Sequence, residues 1–174
     1  MNDRAVLLSV KPKYCELIAS GKKTVEVRKT RPKIPTPFKG YIYCTKGETV
    51  YLPRDIFGNE ALNGKVIGEF VCDKIITVDC DSVAPFDYNT KEYIDKESCL
   101  SRDDFVKYTG FIMAYGWHIS NLIIYDKPKE LSEFIKPCPT PFQCDKCNDL
   151  VEHFGCGRTI TRPPQSWCYV EEMR

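Results

Sequence analysis

The sequence predicts an α+β fold, a small and partly closed barrel of five or six mixed strands with two or three short helices. Three observations lead there. The chain has 174 residues, which suits one domain with a small appendage. Its apolar segments are short and alternate between strand-like and helix-like periodicity. Proline and glycine clusters separate them, and no internal repeat is visible.

Each element has its own signal. Residues 5–10, Ala-Val-Leu-Leu-Ser-Val, read as a short buried strand. Lys11-Pro12 opens a helix, because proline suits the first helical position. Tyr14, Leu17 and Ile18 share one face of it, and Gly21 is placed to end it as a left-handed cap. From Thr24 to Lys29 the pattern alternates. Val25 and Val27 point one way and Thr24, Glu26 and Arg28 the other, as in a half-buried strand. Pro32, Pro35 and Pro37 interrupt the chain, and Gly40 to Thr45 is a further strand. Residues 46–63 are loop-like. Gly64 to Asp79 is one long strand or two, with Gly68 allowing a bend or bulge. Residues 80–100 are mostly loop. Ser101 can cap a helix through Tyr108, with Asp103 and Asp104 in its first turn. Tyr115 to Tyr125 is a strand, Pro128 starts a last short helix over Lys129–Ile135, and Trp167 to Val170 is a terminal strand.

Charge narrows the functional classes. The chain carries 25 basic and 24 acidic side chains, a net charge of +1. It is therefore no polycation, and any nucleic-acid contact must come from a local cluster. No apolar window approaches the length of a membrane span. Met1-Asn2-Asp3-Arg4 with the apolar run Ala5–Leu8 does not make a signal peptide. The expected compartment is the cytoplasm, where structural disulfides are rare. The ten cysteines are therefore read as core thiols plus a metal site.

The segment Leu7-Leu-Ser-Val-Lys-Pro-Lys-Tyr-Cys-Glu-Leu-Ile-Ala-Ser-Gly-Lys-Lys-Thr-Val-Glu-Val-Arg-Lys29 resembles the activating signal cointegrator homology (ASCH) family, a branch of the PUA-like barrels, in the style of phage and Gram-positive bacterial members. The family pattern Gly-x-Lys-x-x-Glu-x-Arg falls on Gly21, Lys23, Glu26 and Arg28. The resemblance runs over roughly residues 4–127. Gly64–Phe70, Tyr115–Ile119 and Pro164–Trp167 support it. It implies a PUA-like barrel over 4–135, with a Cys-rich insertion over 136–166 and the barrel's terminal strand over 167–174.

The residues of the motif also make chemical sense alone. If the strand face opens on a barrel mouth, Lys23 and Arg28 converge with Glu26, and Thr24 joins them. Such a cleft suits a phosphate or the edge of a nucleotide, with Arg28 as a planar fork and Lys23 as a compact charge. A partly desolvated Lys23 next to Arg28 is also a candidate base or nucleophile, although Glu26 opposes this by favouring the ammonium. The alternative is a plain ion-pair cluster on a solvated strand.

The resemblance implies an RNA- or nucleotide-binding module as the first function. A second is an amidohydrolase that removes an acetyl group from a cytidine-like nucleoside. Members of that kind use the motif lysine, matched by Lys23, with a threonine three residues later and a distant glutamate. Here Glu26 stands in the threonine's place, and Glu97 is the candidate for the distant glutamate. His118, Tyr41 and Tyr43 are further cleft candidates, each with a core or sheet role as the alternative.

The tail suggests a metal. Cys144-Asp-Lys-Cys147 supplies two thiolates on one side, Cys156 lies in a glycine turn, and Cys138 precedes them. Cys168 and His153 are alternatives for the fourth ligand. A segment with Pro137, Pro139 and Pro141 and few apolar residues builds no core, so a structural zinc is expected to fix it. Lys146, Arg158 and Arg162 would extend a positive surface toward a nucleic-acid backbone. A zinc-stapled tail serving as a protein-interaction adaptor is the third functional reading.

Overall fold

The apolar run at the start of the chain forms strand β1 (Arg4–Val10), and every residue after Arg4 in it is buried. A strand covered on both faces loses the polar alternation of a surface strand, which is why it reads as a continuous apolar run. The computed structural model describes residues 4–47, 62–78, 95–110, 113–138 and 158–173.

β1 is followed by α1 (Pro12–Ala19), β2 (Val25–Arg28), β3 (Phe38–Cys44), β4 (Val66–Cys72) and β5 (Ile75–Val78). Then come α2 (Arg102–Thr109), β6 (Ala114–His118), β7 (Ser120–Lys129), a 3-10 turn (Leu131–Glu133) and β8 (Trp167–Glu171). One sheet has the order β7-β4-β3-β1-β8, and the other β2-β6-β5. β1 pairs parallel with β3 and antiparallel with β8, so the last strand is stitched to the first.

The expected α+β class holds, but the sheets do not close into a barrel. The single strand expected over Tyr115–Tyr125 is two strands in different sheets. Up to His118 the chain pairs with β2 and β5, and from Ser120 it pairs with β4. The Ile119 amide donates to the Thr24 carbonyl of the smaller sheet at 2.8 Å, while the Ser120 hydroxyl donates to the Val71 carbonyl of the larger one at 2.8 Å. Asn121 then takes a positive φ of 46°, which asparagine tolerates better than most residues. The chain thus changes sheets where a closed barrel would keep one ladder.

Other expectations are adjusted locally. Of the two options for Gly64–Asp79, the structure takes two strands, separated at Asp73-Lys74. The ladder shifts register at Gly68. A Cβ there would lie 2.4 Å from the Ile123 carbonyl oxygen, so glycine lets β7 approach. The helix expected over Lys129–Ile135 shrinks to one 3-10 turn, because β7 runs on until Lys129 pairs with Val66. Glu130 and Glu133 cap that turn reciprocally. Pro12 begins α1, Gly21 takes a φ of 72° after it, and Ser101 caps α2 by accepting from the Asp104 amide at 3.1 Å, all as expected.

Three apolar clusters hold the elements. The first joins α1 to β1, β3, β4 and β6 through Cys15, Ile18, Leu8, Ile42, Phe70 and Trp117. The second covers the opposite face of the larger sheet with Leu7, Tyr41, Tyr43, Phe134 and Ile160. The third packs Val25 and Val27 of β2 against Ala114, Val78 and Phe105 of α2. Among the described residues, no helix is long and apolar enough to cross a membrane.

Candidate functional site

β2 is not the half-buried strand expected. Its apolar face sits on the third cluster, and its charged face is covered as well. Lys23, Glu26 and Arg28 are only 2%, 8% and 6% exposed. The solvated ion-pair cluster is thereby excluded, because groups this buried need partners to offset their desolvation.

The partners are local and specific. Gly21 turns the chain at the end of α1, and the Lys22 and Lys23 amides fold back to donate to the Leu17 carbonyl. This carries the Lys23 side chain inward. Its Nζ donates to the carbonyls of Val25 at 2.8 Å and Ser98 at 2.6 Å, and lies 3.2 Å from Glu26 Oε2. Three donors thus meet three acceptors. The Tyr14 ring lies 5.2 Å from the same nitrogen. On the other side of Glu26, Oε1 lies 3.0 Å from Arg28 Nη2, which also donates to the Ser9 carbonyl at 2.8 Å. Arg28 Nη1 lies 3.5 Å from the Ser166 hydroxyl, and its Nε is buried with no partner.

Ser9 and Ser166 join because the segment before β8 is latched to β1. The Ser9 amide donates to the Ser166 carbonyl at 3.0 Å, and its hydroxyl to that of Pro164 at 2.6 Å. This latch builds one wall of a cleft of about 550 Å³, with Gln165 and Ser166 on it. α1 adds Lys13 and Tyr14, and α2 adds Asp104, Lys107 and Tyr108. With Lys11, Lys23, Glu26 and Arg28, the lining holds five cations against two carboxylates. Lys13 Nζ lies 4.6 Å from the centre of the Tyr14 ring, and interaction with Tyr14 holds the Lys13 pKa above its usual value. Behind the cleft, the Cys15 thiol donates to the Val10 carbonyl at 3.6 Å and the Cys44 thiol to that of Thr45 at 3.9 Å. The interaction with Cys44 and burial push the Cys15 thiol well up, and the interaction with Cys15 draws Cys44 down.

Lys23, Glu26 and Arg28 line one cleft. Gly21 and Thr24 lie outside its lining. Gly21 shapes the turn, and the Thr24 hydroxyl donates to the Glu97 carboxylate. Glu97 is thus tied to Thr24 and not aimed at Lys23. His118 Nδ1 lies 2.6 Å from Asp73 Oδ1 at the β4–β5 turn, which is the sheet role. Tyr41 and Tyr43 are core residues of the second cluster, and the Tyr41 hydroxyl accepts from the Met173 amide at 2.8 Å. Arg158 is not a surface cation. It is buried, bonded to the Lys136 carbonyl at 2.7 Å and paired with Glu171. Arg162 is exposed.

Sequence reading missed Tyr14, Lys107 and Tyr108 as cleft walls, and Ser9 and Ser166 as its latch. The stretch Pro164-Gln-Ser-Trp167 was the one signal available for Ser166. Of the tail ligands, Cys144, Cys147, His153 and Cys156 lie outside the described residues, as does Lys146. Cys138 is half-buried, and Cys168 packs against the second cluster. Among the described residues no three metal-binding side chains converge.

The ASCH domain profile matches residues 8–119, well over half of the chain. The chain belongs to the ASCH domain family. The matched span contains the whole Lys23–Glu26–Arg28 constellation and both sheets' central strands, but not β8 or the Ser166 latch. Solved ASCH structures share the fold. ASCH from Zymomonas mobilis is 19% identical, with a TM-score of 0.56 over 98% of this chain and 87% of that one. A tyrosine-to-phenylalanine mutant of that protein is 20% identical, with a TM-score of 0.56 over 98% and 90%. A serine-to-alanine mutant of it is 18% identical, with a TM-score of 0.57 over 99% and 90%. No curated protein matches the chain.

Proposed function

We propose that this ASCH domain binds RNA or a nucleotide, taking a phosphate or base edge in the cleft over Lys23, Glu26 and Arg28. The observation that carries the reading is Arg28. Its guanidinium is fixed by Glu26 and Ser9 on a cleft lined by five cations and two carboxylates. A guanidinium held in place by its neighbours is a preorganised fork for an anionic oxygen. A cleft of about 550 Å³ has the size of a small-molecule site.

Binding is better supported than acetyl-cytidine hydrolysis. The three donors of Lys23 are all engaged, so it offers no lone pair for attack or proton abstraction. Glu97 is held by Thr24 instead of standing beside Lys23. We also propose, from the cysteine spacing alone, that Cys138, Cys144, Cys147 and Cys156 bind one structural zinc.

The test is equilibrium binding of short single-stranded RNA and of nucleoside monophosphates at several salt concentrations. Arg28→Lys keeps the charge but loses the fork, and should weaken binding about tenfold. Lys107→Ala, at the rim, should weaken binding without touching the buried cluster. Unchanged affinity in both variants would reject the cleft.

A further inference from the structure

The chain leaving the cleft floor after Arg28 is Lys29-Thr-Arg-Pro-Lys33, and Lys29, Thr30, Arg31 and Lys33 are exposed. Two of its three cations rest on aromatic faces. Lys29 Nζ lies 5.4 Å from the centre of the Tyr108 ring, and the Arg31 guanidinium 5.6 Å from that of Tyr115. Two hydrogen bonds pin the segment as well. The Trp167 indole donates to the Thr30 hydroxyl at 2.9 Å, and the Lys33 amide donates to the Tyr169 hydroxyl at 2.7 Å. None of the three cations has a carboxylate within ion-pair distance among the described residues. The strip is continuous with the cleft, because Tyr108 lines the cleft and Arg28 precedes Lys29.

Resting on the reading of the cleft as a nucleotide site, we infer that the ligand is a single-stranded polynucleotide. One unit occupies the cleft, and neighbouring phosphates lie along Lys29, Arg31 and Lys33. A free nucleotide has no use for a cationic strip beyond the cleft. A strand needs one, and cations interleaved with aromatic rings are the usual way to track its backbone and stack its bases. Because the strip is already held by Tyr108, Tyr115, Trp167 and Tyr169, little ordering remains to be done on binding.

The experiment compares uridine monophosphate with a single-stranded hexauridylate, using wild type, Arg28→Lys and the triple variant Lys29→Ala, Arg31→Ala, Lys33→Ala. The expected result is tighter binding of the hexamer than of the monomer by wild type. The triple variant should lose roughly tenfold or more for the hexamer, and about two units of log–log salt slope, with monomer affinity unchanged. Arg28→Lys should weaken both ligands. Monomer binding that depends on Arg28, with hexamer binding indifferent to the triple variant, overturns the strip and leaves the cleft standing. Failure of wild type to bind either ligand overturns both. Equal binding of a polyglutamate of matched charge, lost in the triple variant, would mean an acidic protein surface and overturn the polynucleotide.

Discussion

Glu26 Oε1 lies 3.0 Å from Arg28 Nη2, and its other oxygen lies 3.2 Å from Lys23 Nζ. One buried carboxylate thus compensates two buried cations, leaving the cluster with one net positive charge. Removing it should affect stability and binding in opposite directions. Glu26→Gln keeps the shape and loses the charge. It should cost about 3 kcal/mol of stability, since breaking a buried charged network strands its partners. The same substitution should raise affinity for phosphate-bearing ligands, because the cleft floor becomes more positive. Urea unfolding and nucleotide titration read the two effects. Wild-type stability in Glu26→Gln would mean that the carboxylate is not what holds the pair.

The pair His118 and Asp73 gives a pH signature away from the cleft. Burial raises the Asp73 pKa, but the hydrogen bond and charge of His118 outweigh it and leave the carboxyl below its usual value. A carboxyl depressed in the folded state adds stability that is complete above its unfolded pKa of about 3.9 and is lost as pH falls through the lower folded value. Asp73 is solvent-exposed, so the effect is small. Asp73→Asn should therefore flatten the acid limb of the stability profile below about pH 4, with little change at neutrality. An unchanged acid limb would remove His118 as the cause.

What was legible in the sequence follows from range. Lys23, Glu26 and Arg28 lie close together in the chain, and the period of a strand alone puts Glu26 and Arg28 on one face. That this face is buried was not legible. The groups that cover it come from Ser98 and Ser166, far along the chain, and local alternation carries no record of them. Thr24 shares the local pattern but is claimed by Glu97. The sheet change at Ile119 was invisible for a related reason. The residues on both sides are equally aromatic and branched, and only pairing with Thr24 and Val71 separates them.

The tail prediction rests on cysteine spacing and is read by metal analysis of the intact protein. About one zinc per chain is expected, since four thiolates complete a closed tetrahedral site. Cys147→Ser should lower the zinc content, and a strong chelator should lower the Tm. Well under one equivalent in carefully handled protein would reject the site.

Gly68 tests the architecture itself. It faces β7 at the point where the β4–β7 ladder shifts register, and an added Cβ would sit 2.4 Å from the Ile123 carbonyl oxygen. A flexible side chain could move aside, but a backbone oxygen in a sheet moves only with its strand. Gly68→Ala should therefore cost about 2–3 kcal/mol, at the upper end for inserting one methyl into a packed interior. Gly110→Ala is the control. It takes a positive φ of 64° and has no atom within 4 Å of the added methyl, so it tests backbone strain without a clash. A larger loss of Tm in Gly68→Ala than in Gly110→Ala would place the cost in the approach of β7. The reverse order would show that the strand yields and that the glycine is needed elsewhere for its torsion alone.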